Sequence, residues 1–186
     1  MKKVKENSEN YLAKMRGVSK SPPVVSPSEI FWSWIGAFIG IGAVSYINYN
    51  LLNDTDSIMV IGSFGASAVL IYGAIKSPLS QPRNLIGGHI ISAIIGVACY
   101  KLFSDYMWFA SAVAVATAIG TMHATKTLHP PGGATALIAV VGSSEVHNLG
   151  FLYVFIPVGA GAIIMLVVAL LANNIPNTRR YPEFWI

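Results

Sequence analysis

Long apolar runs alternate with short polar segments over most of this 186-residue chain. A helix that crosses a bilayer needs about 20 mostly apolar residues, and most of the runs have about this length. The run 132–141 is shorter than that. The pattern predicts an all-α, polytopic transmembrane helix bundle of about six spans, with apolar runs at 30–49, 57–75, 85–100, 107–125, 132–141 and 150–172.

The polar segments divide the chain into three parts. Residues 1–28 are basic and then rich in Pro and Ser, and we expect them to form a cytoplasmic, partly disordered tail. Residues 29–173 form the predicted transmembrane domain. Residues 174–186 are expected to form a second cytoplasmic tail.

The positions of the cations favour an even number of spans. With six crossings, every Lys and Arg except Lys101 falls on the same side as the N-terminus, as the positive-inside rule expects. The predicted localisation is the cell (inner) membrane, with both termini cytoplasmic. If 132–141 re-entered the same side instead, five spans would remain, and Arg179 and Arg180 would lie outside.

The composition excludes a soluble domain of useful size. The chain is 54% hydrophobic and 11% charged, whereas soluble domains carry about 25% charged residues. The net charge of +4 reflects a basic N-terminal tail, so it indicates membrane topology rather than nucleic-acid binding. Cys99 stands alone in an apolar run, so it cannot form an intrachain disulfide and is expected to be a small core residue.

The apolar runs contain no Asp or Glu, and the histidines and the cysteine show no ordered metal-ligand spacing. We therefore expect no metal site, no cofactor and no enzyme activity. The same lack of carboxylates argues against a carrier for cations. It fits an anion pathway, in which positive helix ends and a few cations attract the anion.

The segment 126–136 combines a cation, a histidine, two prolines and two glycines between two apolar runs. Pro130 and Pro131 cannot continue a helix from the preceding run, but they can begin a new one. A helix that begins here would expose free N–H groups near Gly132 and Gly133, together with the positive end of its dipole. These are the elements of an anion site. A broken helix in a membrane protein is tolerated only where it is packed in protein or lines a cavity.

A similar but less complete pattern occurs earlier in the chain. Gly87, Gly88 and His89 also follow a loop that contains proline and a basic residue. Because both loops fall on the inner side, two related hairpins would present two Gly-Gly helix starts to a shared cavity. The alternative is a chance likeness between short Gly-rich segments.

Several polar side chains near these two segments are candidates for anion binding. His129 can donate to an anion, or carry a proton if uptake is proton-coupled, and Lys126 can attract an anion. Each has a structural alternative, namely a hydrogen bond to the broken backbone for His129 and an interfacial anchor for Lys126. The predicted substrate-binding set is Arg83, Gly87, Gly88, His89, His123, Lys126, His129, Gly132, Gly133 and Thr135.

The remaining polar candidates also have two interpretations. The planar guanidinium of Arg83 can bind an anion or fix the topology, and His123 can face the substrate or a neighbouring helix. Ser63 and Ser67 can line a polar path or hold helices together. His147 falls in an outer loop and is expected to be solvated.

The run 129–136 resembles the signature of the HPP family of integral membrane proteins, which takes its name from His-Pro-Pro. The earlier pattern of residues 81–84 (Gln-Pro-Arg-Asn) followed by 87–89 (Gly-Gly-His) also resembles this family. The resemblance covers about residues 31–172. The family includes members assigned to nitrite transport in chloroplasts and cyanobacteria, so the resemblance implies transport of a small inorganic anion, with nitrite as the leading substrate.

These features together predict a permease for a small inorganic anion, embedded in the lipid bilayer. The alternative from a different class is a membrane sensor or scaffold that binds an anion or a partner without transport. A carrier for another small carboxylate or oxoanion is a third possibility. The Gly-rich faces are compatible with a homo-oligomer and equally with internal packing, and no nucleic-acid partner is expected.

Overall fold

A computed structural model describes residues 11, 13–15, 19–50 and 62–186. The polar turn predicted near 50–56 and the start of the second apolar run lie mostly outside these residues. No strand occurs in the described part of the chain. Its principal helices are α1 (Pro27–Asn50), α2 (Gly62–Ala68), α3 (Pro82–Phe103), α4 (Met107–Ala124), α5 (Pro130–Val141), α6 (Ser144–Leu149) and α7 (Ala160–Ala172).

Local sequence explains where the principal helices begin. The Ser26 hydroxyl accepts a hydrogen bond from the Glu29 N–H at 3.2 Å and caps α1. Pro82 and Pro130 stand at the first positions of α3 and α5, where a missing N–H costs nothing. Two wider π-helical turns interrupt the regular geometry, Val69–Gly73 directly after α2 and Val154–Gly159 directly before α7.

Three helical segments of the described residues are long and apolar enough to cross a membrane: Pro27–Asn50, Pro82–Ala124 and Val154–Ala172. The second has 43 residues and is a hairpin of α3 and α4, because Phe103 and Tyr106 leave the helical region with φ of −134° and −129°. Gly62–Gly73 and Pro130–Val141 are shorter apolar helices. The prediction of an all-helical bundle with about six membrane segments is confirmed.

Contacts between distant residues bring the first and last helices to one end of the bundle. The Arg179 guanidinium forms an ion pair with Glu29 near the start of α1, with Nη2 to Oε2 at 2.9 Å. The Tyr181 hydroxyl donates to the Ser80 carbonyl at 2.7 Å, which adds the segment before α3 to the same end. We call this the termini end, and the contact between Glu29 and Arg179 is compatible with an even number of helical passes between them.

We call the opposite end of the bundle the far end. The chain that follows α5 lies there. The His147 ring stacks on Tyr100 near the end of α3, with ring centroids 3.7 Å apart. His147 Nε2 also donates to the Val140 carbonyl at 3.0 Å, which caps α5. The expectation that His147 is solvated is therefore wrong. α5 runs from the termini end to the far end, which is consistent with the prediction of about six membrane segments.

Small residues allow α3 and α5 to cross closely. A Cβ built at Gly96 would lie 2.5 Å from the Ala136 carbonyl oxygen, and one built at Gly132 would lie 2.9 Å from the Gly88 carbonyl oxygen. The contact therefore joins backbone to backbone, in the manner of small-residue interfaces in membranes. Gly36 also admits a close neighbour, since a Cβ there would lie 2.8 Å from the Tyr72 ring.

The segment after α7 packs into the bundle rather than extending away from it. Arg179 is buried, and its Nη1 donates to the Tyr72 carbonyl and the Asn173 side chain, each at 3.2 Å. The Glu183 N–H donates to the Gln81 side chain at 2.9 Å. The predicted tail 174–186 is thus continuous with the transmembrane unit as far as Glu183.

Replacement of Gly96 tests the α3–α5 crossing. Gly96→Ala places a methyl group against the Ala136 carbonyl and 2.7 Å from the Ala139 Cβ, and neither neighbour is flexible. We expect the variant to lower the free energy of unfolding by about 1–3 kcal/mol, measured as a lower thermal midpoint in detergent micelles. Gly120→Ala is the control, since its Cβ meets nothing within 4 Å. An unchanged midpoint for Gly96→Ala would contradict the close crossing.

Replacement of Arg179 tests the closure of the termini end. Arg179→Met removes the ion pair and leaves buried carbonyl and amide oxygens without their donor. We expect a loss of about 2–3 kcal/mol in the free energy of unfolding, measured by denaturant titration in micelles. The adjacent Arg180 is exposed, so Arg180→Met should change it by less than about 0.5 kcal/mol. Equal losses for both variants would disprove the specific role of Arg179.

Candidate functional site

The chain before α5 places a histidine in the buried interior of the bundle. His129 precedes Pro130 and has an extended backbone, with φ −140° and ψ 104°, because a residue before proline avoids the helical region. This conformation ends the loop after α4 and turns α5 into the bundle. The His129 side chain is fully buried, as is that of His89 from the second turn of α3. Their ring centroids lie 5.0 Å apart.

One serine bridges the two histidine rings. The Ser67 hydroxyl lies 2.7 Å from His89 Nε2 and 2.9 Å from His129 Nε2. Ser67 stands at the end of α2, immediately before the π-helical turn Val69–Gly73. Such turns shift the register of a helix and are frequent at functional sites. Ser67 lies two residues before this one.

The Nδ1 atom of each ring also has a hydrogen-bond partner. His129 Nδ1 donates to the Leu79 carbonyl at 2.8 Å, and His89 Nδ1 lies 2.7 Å from the Thr135 hydroxyl. Thr135 is in turn hydrogen bonded to the Ser63 hydroxyl at 2.9 Å. We call this continuous set the histidine relay; it consists of the Leu79 carbonyl and the side chains of His129, Ser67, His89, Thr135 and Ser63.

The segment that presents the Leu79 carbonyl is fixed by its own hydrogen bonds. The Ser77 hydroxyl accepts from the Leu79 N–H at 3.2 Å. The Ser80 hydroxyl donates to the Leu70 and Ala74 carbonyls at 3.0 and 2.8 Å. The Tyr181 hydroxyl holds the Ser80 carbonyl from the other side. The acceptor for His129 is therefore positioned by the C-terminal segment as well as by the loop itself.

Fewer backbone N–H groups are free at the start of α5 than the sequence pattern suggested. Pro130 and Pro131 have no N–H, and the Gly132 N–H donates to the His129 carbonyl at 2.8 Å. Gly133 faces a groove between α4 and α5, where a Cβ would be 3.9 Å from Val115. Anion binding at Gly132 and Gly133 stays a prediction.

The other glycine pair lies inside a helix rather than at its start. α3 begins at Pro82, so Gly87 and Gly88 belong to its second turn. A Cβ at Gly87 would be 2.6 Å from the Thr127 side chain, and one at Gly88 would be 2.5 Å from the His129 Cβ. The two glycines thus admit the loop after α4 to the surface of α3, and the expected pair of equivalent Gly-Gly helix starts is not formed.

Arg83 and Lys126, the two cations of the predicted set, both lie at the termini end. Arg83 Nη2 donates to the Thr125 carbonyl at 2.8 Å, which places a positive charge at the C-terminus of α4. Lys126 follows directly, with a positive φ of 56°, and its side chain is exposed. Arg83 precedes His89 by six residues, or about 9 Å along the helix axis.

His123 lies apart from the relay. Its side chain is exposed and lines the groove between α4 and α5 together with mostly aliphatic residues and Gly133. This groove has a volume of about 570 Å³, and no residue of the relay lines it. The structure therefore brings together His89, His129 and Thr135 from the predicted set, and leaves His123 and Gly133 at the apolar groove.

Sequence reasoning missed two parts of the site. It treated Ser63 and Ser67 as general polar candidates, although their spacing of four residues places both on one face of α2. It gave no role to Leu79, because the acceptor is a backbone carbonyl that any residue type supplies. Pro78 begins the 3₁₀ turn Pro78–Ser80, and Pro82 begins α3. These two prolines are the local signal of a rigid loop.

Comparison with known proteins places this architecture in a family. The family described as HPP, transmembrane region, matches residues 22–182. A Dictyostelium discoideum protein described as a transmembrane protein is 47% identical over 178 residues, which cover 94% of this chain and 57% of that protein. A second transmembrane protein of the same organism is 45% identical over 173 residues, which cover 91% of this chain and 60% of that protein.

The chain spans about three fifths of the length of these curated relatives. No solved structure matches it. The family match extends from the segment before α1 to the buried Tyr181, and so includes every residue of the histidine relay. The chain belongs to the HPP family of integral membrane proteins.

Proposed function

We propose that this protein is a permease for a small inorganic anion, with nitrite as the first candidate substrate, and that it is not an enzyme. The observation that carries the proposal is the buried histidine relay, formed where the short helices α2 and α5 meet α3 inside a membrane domain. Polar side chains in such a position are costly, and they commonly mark substrate or ion pathways. Substrate sites of transporters often lie where interrupted helices meet near the bilayer midplane.

The distribution of charge supports an anion as the substrate. The three long apolar helical segments of the described residues contain two carboxylates. Glu29 is paired with Arg179, and Asp105 lies in the turn between α3 and α4. Arg83 and Lys126 lie together at the termini end, next to the loop that leads to His129. These cations raise the local concentration of anions at that end, which we propose is cytoplasmic.

The relay supplies donors that can be redirected to an anion. The hydroxyl of Ser67 and the ring nitrogens of His89 and His129 now bind one another. An oxoanion that replaces the Ser67 bridge would accept a hydrogen bond from each ring whose Nε2 carries a hydrogen. Such bonds are stronger than neutral ones, because one partner is charged. The π-helical turn Val69–Gly73, directly after Ser67, supplies a place where α2 can shift to admit it.

One observation favours the sensor or scaffold as the second candidate. Every buried side-chain nitrogen and oxygen of the described residues has a hydrogen-bond partner. A network that is fully satisfied without a ligand is what a purely structural role would require. Measurement of flux separates the two functions, because a scaffold binds without moving its ligand.

Nitrite uptake into liposomes tests the proposal. We expect purified protein to give saturable uptake above that of empty liposomes, and Ser67→Ala to reduce it by about 10- to 100-fold, because a charge-assisted hydrogen bond contributes about 1.5–3 kcal/mol. Ser111→Ala is the matched control, since the Ser111 hydroxyl bonds only within α4, to the Met107 carbonyl, and should retain wild-type uptake. Nitrate, formate and bicarbonate as competitors define the substrate class.

Circular dichroism and a single elution peak in detergent establish that each variant is folded before its flux is compared. If folded wild-type protein gives no flux under a pH gradient or a voltage, the transport proposal is wrong, and the sensor or scaffold takes its place. Full uptake by a folded Ser67→Ala variant would instead remove the relay from the pathway.

A further inference from the structure

The Leu79 carbonyl determines where the proton of His129 resides. A carbonyl oxygen only accepts, so His129 Nδ1, 2.8 Å away, must carry a hydrogen. A neutral His129 then has a bare Nε2 that accepts from the Ser67 hydroxyl. Ser67 has a single proton, which it gives to His129, so its contact with His89 requires a hydrogen on His89 Nε2. One backbone carbonyl thereby sets the tautomers of both rings.

The tautomer of His89 determines its hydrogen bond to Thr135 at the other end of the relay. A neutral His89 that carries its hydrogen on Nε2 accepts at Nδ1 from the Thr135 hydroxyl, 2.7 Å away. In this arrangement the Thr135 hydroxyl gives its proton to the ring instead of to the Ser63 hydroxyl, 2.9 Å away, or the Pro131 carbonyl, 3.3 Å away. In this neutral arrangement, every bond from Thr135 to Leu79 runs in the same direction, and both rings are fully bonded as opposite tautomers.

The relay also accepts one added proton without losing a hydrogen bond. With a proton on His89 Nδ1, the ring donates to Thr135, and the Thr135 hydroxyl turns to Ser63 or to the Pro131 carbonyl at 3.3 Å. Transfer of the His89 Nε2 proton to Ser67, and of the Ser67 proton to His129 Nε2, then moves the charge to the second ring. Both charged arrangements keep every donor paired.

A second added proton does not fit. Both rings would then donate to the Ser67 oxygen, whose own proton would have no acceptor among its partners. The two positive rings would also face each other with centroids 5.0 Å apart, in an interior where charges repel more strongly than in water. Within the described residues, no Asp or Glu contacts either ring to offset this repulsion.

The groups around the relay are otherwise uncharged. Phe64 from α2 packs against the His89 ring, edge to face, at 5.4 Å. The titratable neighbour from the segment before α7 is Tyr153, whose hydroxyl donates to the Thr135 carbonyl at 3.2 Å. Arg83 on α3 and Lys126 after α4 lie at the termini end rather than against the rings.

We propose that the histidine relay is the binding site for a single coupling proton, which His89 and His129 share through Ser67. The transport part of this inference rests on the proposed function. A monovalent anion and this proton carry no net charge together, so their joint passage avoids moving a bare charge through the low-dielectric interior. The chemical class of the second ligand is thus a proton, and the transport mode is anion–proton symport.

Nitrogen NMR of the histidine rings tests the proton site directly. The full chain, labelled with ¹⁵N-histidine in lipid nanodiscs, would carry His123→Gln and His147→Gln, so that only His89 and His129 give signals. We expect opposite neutral tautomers at high pH, and uptake of one proton distributed over both rings as the pH falls. Identical tautomers, two protons bound independently, or no proton bound before the protein unfolds would each overturn the proposal.

Substitution of Ser67, with substitution of Ser111 as the control, tests whether the two rings share the proton. In Ser67→Ala the link between the rings is lost, so we expect two separate titrations in place of one shared proton. Ser111→Ala, on the surface of α4, should leave the spectra unchanged. If Ser67→Ala is folded and titrates like the unchanged protein, Ser67 does not connect the rings and the proposal is wrong.

Proton flux distinguishes this proposal from the proposed function. Liposomes with an internal pH dye, and with the voltage clamped by potassium and valinomycin, should acidify by one proton for each nitrite that enters, after subtraction of the empty-liposome leak. Nitrite flux without acidification would overturn the coupling and leave anion transport intact. A shared proton by NMR without any nitrite flux would overturn anion transport and leave the proton site intact.

Discussion

The close crossing of α3 and α5 is the constraint on which the rest of the structure depends. The helices approach until backbone faces backbone at Gly88, Gly96 and Gly132. Because a Cβ at Gly88 would lie 2.5 Å from the His129 Cβ, the same absence of side chains that permits the crossing also seats His129. The two rings meet only as a consequence of this packing. The same few glycines therefore pack α3 against α5 and bring His89 and His129 together. A substitution that separates the two helices would also separate the two rings.

The chain termini influence the centre of the membrane domain through a short series of contacts. Arg179 joins the start of α1 to the residues after α7. Tyr181 then holds the Ser80 carbonyl next to Leu79, whose own carbonyl fixes the hydrogen of His129. The protonation of a buried ring is thus set by a loop that the C-terminal segment holds in place. A buried Arg with several donors suits this task, since its planar guanidinium binds several acceptors in one fixed geometry.

Sequence reasoning predicted the parts of this molecule that depend on local pattern. The lengths of the apolar runs gave the helical segments, and the prolines before Gly132 gave the break that positions His129. His89 and Thr135 were selected as well, although for anion binding at helix starts rather than for contact with each other. The partners of His129 were out of reach, because Leu79 and Ser67 are 50 and 62 residues away in the chain. Pairings over such separations are set by helix packing, which no local spacing encodes.

The two prolines of the motif determine which donors the proposed anion site could use. A helix start offers its first N–H groups to a ligand, but Pro130 and Pro131 have none, and the Gly132 N–H is already bonded to the His129 carbonyl. The donors that can be turned towards an anion are therefore side chains, the hydroxyl of Ser67 and the rings of His89 and His129. Side-chain donors change direction when a proton is added, whereas backbone donors do not. A site built from them links anion binding to protonation, and the prolines that remove the backbone donors favour that linkage.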